Sequence, residues 1–288
     1  MNWKPRIKSY IVPGILLAGL AAAWIAGGSL CASDNRPIAP APADLPVENV
    51  RFYSNSGSTL RGWYLTGEPG GGAVLLLHGN RSSRASMLGR ARFLWHAGYS
   101  VLLFDFQAHG ESPGDHLTFG HLESLDARAG VDFFRKCLPG EKIAILGESL
   151  GGAAAILAQP PLQVNALILE SVFPTIEEAV QNRLVESFGR SGKHLAPLLL
   201  WQLRPRLGFG AEELRPIDHV GEITVPKLFI AGTADRKTLF RQSIALELAA
   251  ADPKQFWAVK GAGHENLHLF ATEEYEKRIL EFLGKHLR

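Results

Sequence analysis

Two hydrophobic rhythms alternate through most of the chain. Short uninterrupted apolar runs occur at Ala73–Leu77, Val101–Phe104, Lys142–Leu146, Ala166–Leu169, Lys227–Ile230 and Gln255–Val259. Runs of this length without polar alternation predict strands buried on both faces of a sheet. Between them lie longer stretches with apolar residues three and four positions apart, which predict helices over Ser83–Ala97, Leu122–Cys137, Leu150–Ala158 and Thr272–Leu287. In the second of these, Leu125, Val131 and Phe134 face inward. Arg51–Tyr53 and Leu60–Leu65 read as short antiparallel strands ahead of the series. Repeated strand–helix units with buried strands imply an α/β fold, a mainly parallel sheet flanked by helices, over residues 48–288. No internal repeat is evident.

Two segments break the rhythm. Residues 173–220 hold a helical stretch, Ile176–Phe188, and an apolar tract, Leu195–Trp201. An insertion after a strand's C-terminal end lies where α/β sheets bind ligands, so it reads as a lid; the plainer alternative is a helical insertion packed on the sheet edge. At the N-terminus, Lys4, Arg6 and Lys8 precede Tyr10–Leu30, which carries no charge and is long enough to cross a bilayer. Basic residues ahead of it place the rest of the chain outside the cytoplasm, periplasmic or extracellular. Residues 1–32 are therefore a retained anchor or a cleaved signal segment, with Ser29-Leu30-Cys31 as a weak cleavage site and lipidation of Cys31 disfavoured by bulky Leu30. Pro37, Pro40, Pro42 and Pro46 make residues 33–47 an extended tether.

Composition narrows the function classes. Of 288 residues, 46% are apolar and 20% charged, which excludes a disordered chain. The net charge of +2 offers no basic field for nucleic acid. Two cysteines, Cys31 and Cys137, exclude a disulfide scaffold and a cysteine zinc site.

Chemistry concentrates at Gly147-Glu148-Ser149-Leu150-Gly151, a G-x-S-x-G pattern directly after a strand and opening a small-residue helix. A sharp strand-to-helix turn of this kind projects the serine hydroxyl. A serine nucleophile needs a base and an acid that orients it. Asp235, in Gly232-Thr-Ala-Asp, and His264, in Gly261-Ala-Gly-His, each follow a strand, 86 and 29 residues further along in turn. All three would meet at one rim of the sheet.

With His78-Gly79-Asn80 after the first buried strand, these marks resemble the serine hydrolases of the α/β-hydrolase superfamily, from about Glu48 to the C-terminus. The resemblance implies Ser149 as nucleophile, His264 as base and Asp235 as acid. It also implies an oxyanion hole from the backbone N–H groups of Leu150 and Asn80. The reaction implied is hydrolysis of a small-molecule carboxylic ester through an acyl-enzyme, with neither metal nor organic cofactor. Thioesterase (depalmitoylase) and peptidase activity fit the same residues. So, from another class, does a membrane-anchored binding module without catalysis.

Other polar residues have plainer readings. Glu170, at a strand end, is an alternative acid. His78 reads as structural, and Glu148 as a polar contact under the turn. His109 sits in a turn where Gln107 replaces a frequent arginine of the superfamily. His116 and His121 are expected at the surface, and His109, Asp115 and His116 lack a recognised metal spacing.

Overall fold

A computed structural model describes the backbone from Arg6 onward and side chains from Pro13 onward, Leu16 excepted. Lys4, and the side chains of Arg6, Lys8 and Tyr10, lie outside the described residues.

Eight strands form the central sheet: β1 (Glu48–Tyr53), β2 (Thr59–Leu65), β3 (Ala73–Leu77), β4 (Ser100–Phe104), β5 (Ile143–Glu148), β6 (Ala166–Glu170), β7 (Lys227–Gly232) and β8 (Lys254–Val259). Their spatial order is 8-7-6-5-3-4-2-1. β1–β2 and β2–β4 pair antiparallel and every other neighbour pairs parallel. All five residues of β3 are buried, as its unbroken apolar run requires. Leu75 and Leu77 pack into the layer with Val131 and Phe134, while Val74 and Leu76 pack into the opposite layer with Ile279 and Phe282. The period-two alternation of a strand thus feeds two cores from one segment.

The helices that matter for the site are α1 (Arg6–Cys31), α2 (Leu88–His96), α3 (His121–Cys137), α4 (Leu150–Leu157), α5 (Ile176–Phe188), α6 (Ala196–Leu200), α7 (Leu203–Leu207), α8 (Phe240–Ala249) and α9 (Thr272–Leu287). The helix expected over 83–97 opens instead as a 3-10 turn, Arg84–Met87, before α2. Arg84 N–H donates to Asp105 Oδ1 at 2.7 Å, and its guanidinium pairs with Asp105 and Glu111. Those ties pull the turn onto the end of β4. No helical pattern in the sequence marks α8: its Ile244, Leu246 and Leu248 mimic strand alternation, yet Ile244 and Leu248 are exposed and only Leu246 is buried.

Residues 33–47 do not stand off the domain as a tether. Asp34–Asn35 pairs in parallel with His109–Gly110, Leu45 is buried, and Ile38, Ala41 and Val47 pack on the core beside α2 and α9. The prolines keep the segment extended, but apolar residues spaced among them reach the core, and full burial of a side chain such as Leu45 is worth about 1.5–3 kcal/mol.

Candidate active site

Strand order brings the expected residues to one edge. β3, β5, β6, β7 and β8 are successive parallel neighbours, so the loops after their C-terminal ends lie side by side. Leu77 is level with Gly147, Glu148 with Glu170, and Val259 with Gly232. Asn80, Ser149, Asp235 and His264 all sit within a few residues beyond these pairs.

Ser149 takes a strained left-handed conformation, φ 49° and ψ −107°. Its N–H donates to Glu170 O at 2.8 Å, which holds the turn against β6. Such conformations cost about 1–3 kcal/mol and persist only where the surroundings impose them. Gly151 makes the turn possible: a Cβ there would stand 2.3 Å from Leu77 O. Among the described residues, four other non-glycine residues have positive φ, and two of them, Arg81 and Phe119, line the same cavity as Ser149.

Asp235 is buried and fixed on both oxygens. Oδ1 accepts from the N–H groups of Lys237 and Thr238, each at 2.8 Å. Oδ2 lies 2.8 Å from His264 Nδ1. The two loops interlock through Ala234 N–H to Ala262 O (2.9 Å) and Gly261 N–H to Thr233 Oγ1 (2.8 Å). Ser149 and His264 are not hydrogen-bonded to each other; among the described residues, the imidazole bonds only to Asp235. Ser149, Leu150 and Asn80 share a cavity of about 180 Å³. Leu150 opens α4, where first-turn N–H groups have no partner within the helix. Asn80 Oδ1 is buried without a hydrogen-bond partner.

A family model described as "Alpha/beta hydrolase family" matches residues 74–278. The chain belongs to the alpha/beta hydrolase family. An uncharacterized protein of Mycobacterium tuberculosis is 32% identical over 255 residues, 86% of this chain and 83% of that protein. The alpha/beta hydrolase domain-containing protein WAV2 of Arabidopsis thaliana is 28% identical, covering 88% of this chain and 84% of that one. Among solved structures, the Pyrococcus furiosus esterase Pf2001 superposes with a TM-score of 0.71 at 24% identity, over 88% of this chain and 99% of the esterase. An esterase from Exiguobacterium antarcticum gives 0.60 at 17% identity, over 82% and 100% of the two chains. These likenesses establish the hydrolase fold.

Around this alpha/beta hydrolase turn, the other expected polar residues separate. Glu170 does not approach His264 as an alternative acid. It is buried with Arg90, whose Nη2 lies 2.6 Å from Glu170 Oε2, and with the Tyr275 hydroxyl. Arg90 also reaches Glu148 Oε2 at 3.3 Å. One guanidinium thus holds the two carboxylates of residues level with each other on β5 and β6, immediately under Ser149. Burial pushes the Glu148 carboxyl up, with Arg90 opposing. Arg90 carries no sequence signal, because its partners come from distant strands.

His78 is fully buried. Phe106 N–H donates to its Nε2 at 3.1 Å, and its Nδ1 lies 2.8 Å from Gly79 O. Burial, reinforced by His109, holds its pKa well below the ordinary imidazole value, so it is a neutral strut for the Asn80 loop. Gln107, in place of the frequent arginine, donates to His116 O and Glu123 Oε1. His116 is exposed and His121 is half-exposed, its ring stacked on Phe209 with centroids 4.2 Å apart. His109 is buried while Asp115 and His116 are at the surface, and no metal-binding group of His, Cys, Asp and Glu occurs among the described residues.

The insertion over 173–220 forms α5 to α7 and supplies much of the cavity wall, with Ile176, Leu184, Leu199, Leu200 and Leu203. Thr175 caps α5 by accepting from Glu178 N–H. Asn182 ties α5 to the Asp235 loop, donating to Lys237 O at 3.0 Å and Gln242 Oε1 at 2.7 Å. Arg183 also lines the cavity; burial lowers its pKa, and no carboxylate among the described residues lies within ion-pair distance. Three lining residues come from outside the expected hydrolase domain: Gly27, Leu30 and Cys31, the last turn of α1.

Proposed function

We propose that this alpha/beta hydrolase is a serine esterase working through an acyl-enzyme. The observation that carries the reading is the pairing of His264 Nδ1 with doubly anchored Asp235, beside a strained serine turn at the same sheet edge. Ser149 Oγ attacks the ester carbonyl carbon while His264 Nε2 takes the hydroxyl proton. Asp235 keeps the Nδ1–H tautomer and stabilises the imidazolium. The N–H groups of Leu150 and Asn80 bind the oxyanion, each worth about 3 kcal/mol in the transition state. As the tetrahedral adduct collapses, the C–O bond to the alcohol breaks and His264 returns its proton to the leaving oxygen. Water, deprotonated by the same imidazole, then releases the acid and restores Ser149. The apolar cavity walls favour an acyl substrate over a peptide. The N-terminal apolar helix serves as a retained anchor, with the catalytic domain outside the cytoplasm.

The test is fluorophosphonate labelling of the full chain, with Ser149→Ala and His264→Ala, alongside p-nitrophenyl esters from acetate to palmitate. The expected result is labelling and turnover that vanish in Ser149→Ala. Folded protein that neither labels nor hydrolyses any ester would replace this reading with that of a binding module.

A further inference from the structure

We infer that the last turn of α1 is a wall of the substrate site, and that the site takes a long acyl chain running from Ser149 along that helix to the bilayer surface. This deepens the esterase reading and rests on it for the reaction.

The end of α1 is built into the site from two sides. From the loop after Asn80, Arg81 donates to the carbonyl oxygens of Ser29 (2.7 Å) and Leu30 (3.1 Å). A cationic donor on the last carbonyls is a favourable helix C-terminal cap. From the insertion, Gln202 Nε2 donates to Ala23 O at 2.9 Å, while its Oε1 accepts from Arg206 Nε at 3.1 Å. Arg206 lies over the Trp24 ring, 3.8 Å from its centroid, and donates to Trp24 O. Gly27 is what permits this approach, since a Cβ there would stand 2.2 Å from Gln202 Oε1. The helix therefore joins the candidate oxyanion loop to the insertion, and its Leu30 and Cys31 complete the cavity.

Geometry then sets the depth of the domain in the membrane. With its last turn used as a wall, α1 has only Tyr10 to Ala26 for the bilayer, about 25 Å of helix at about 1.5 Å per residue. The hydrocarbon core is about 30 Å thick, so no length is spare and the cavity sits at the membrane surface. Beside the exit of α1, Leu195, Leu198 and Trp201 of the insertion are exposed, and Trp201 packs against Trp24 with centroids 6.2 Å apart. Tryptophan pairs of this kind suit the membrane–water interface.

The cavity's lining points to the same path. Its wall is apolar, with Leu30 and Cys31 of α1 beside Leu199, Leu200 and Leu203 of the insertion. Leu30 both lines the cavity and is exposed, so a chain longer than the cavity leaves past it.

The test uses the full chain in phospholipid nanodiscs. Leu30→Trp should lower turnover of p-nitrophenyl palmitate relative to p-nitrophenyl acetate at least tenfold, and Ile25→Trp, on the same helix but exposed and off the cavity wall, should not. A second readout is independent of hydrolysis. In Ser149→Ala carrying Cys137→Ser, palmitate should slow N-ethylmaleimide modification of Cys31 at least fivefold, and acetate should not. Absence of protection, or parallel loss on both esters in Leu30→Trp, would overturn the assignment. Protection by palmitate with no ester turnover in wild type would uphold the assignment and refute only the esterase reading.

Discussion

Asp235→Asn separates orientation from charge at the candidate triad. The two oxygens of Asp235 have different duties: Oδ1 accepts two backbone N–H groups at 2.8 Å, and Oδ2 faces His264 Nδ1 at 2.8 Å. Asparagine has one carbonyl oxygen. Two fixed donors claim it, because leaving buried N–H groups unpaired costs about 1–3 kcal/mol. The amide nitrogen must then face His264 and donate to Nδ1. That places the imidazole proton on Nε2, where it cannot accept the Ser149 proton. Loss of the correct tautomer and of the buried negative charge together lower kcat by about 10⁴ in such triads, equivalent to about 5.5 kcal/mol. Stability should change little, since the backbone donors keep their acceptor. Asp235→Ala, by contrast, leaves those donors unpaired and should lose about 1–3 kcal/mol as well. The assay is kcat/KM on p-nitrophenyl butyrate together with a thermal melt. A loss below tenfold in Asp235→Asn with an unchanged melt would refute the argument, because Asp235 would then not govern the imidazole.

Arg90→Met leaves Glu170 buried without its cation, beside Glu148. Breaking a buried pair this way costs about 3–5 kcal/mol, or a fall in Tm of about 10 °C for a domain of this size. A shift under about 3 °C would contradict it, and Glu170→Gln, which keeps Arg90 with Glu148, should cost less. Asp126 is buried, accepts from Gln107 N–H at 2.8 Å, and has its carboxyl pushed up by burial to about 7. Its folded-state pKa is raised, so between pH about 4 and about 7 the folded chain holds a proton that the unfolded chain releases. Stability should therefore fall as pH rises through that window. Asp126→Asn should flatten the slope of Tm between pH 5 and pH 8, and an unchanged slope would assign it to other groups.

The strands were legible because burial on both faces leaves a plain apolar signature. Ala73–Leu77 and Thr272–Leu287 occur with the bounds their patterns predict. The candidate site was legible for a related reason: an elbow serine, a loop acid and a loop histidine each need a strand end, and strand ends could be read. What could not be read depends on partners far away in sequence. Arg90 is a buried cation held by three residues from β5, β6 and α9, and nothing local marks it. The stacking of half-exposed His121 could not be read because the aromatic it stacks on, Phe209, belongs to the insertion. The segment over 33–47 looked like a tether because proline spacing reports stiffness, whereas docking depends on where its few apolar side chains land.

The N-terminal helix is the sharpest instance, and it carries the last prediction. Hydropathy measures transfer from water, which is the same for a residue in lipid and one in a protein wall. Residues Gly27 to Cys31 therefore read as the end of an anchor or as a signal cleavage site, since small residues serve both. The structure gives the small residues a third use, close approach to Gln202 and Arg206. Cleavage after Cys31 would remove three cavity-lining residues and the carbonyls that Arg81 caps. It would expose the apolar residues behind them, at about 25 cal/mol per Å² of surface returned to water. The chain extracted from membranes should therefore have the intact mass, α1 included. A mature form beginning after Cys31 that hydrolyses palmitoyl and acetyl esters in the full chain's ratio would show that α1 delivers the domain to the membrane but builds no part of its site.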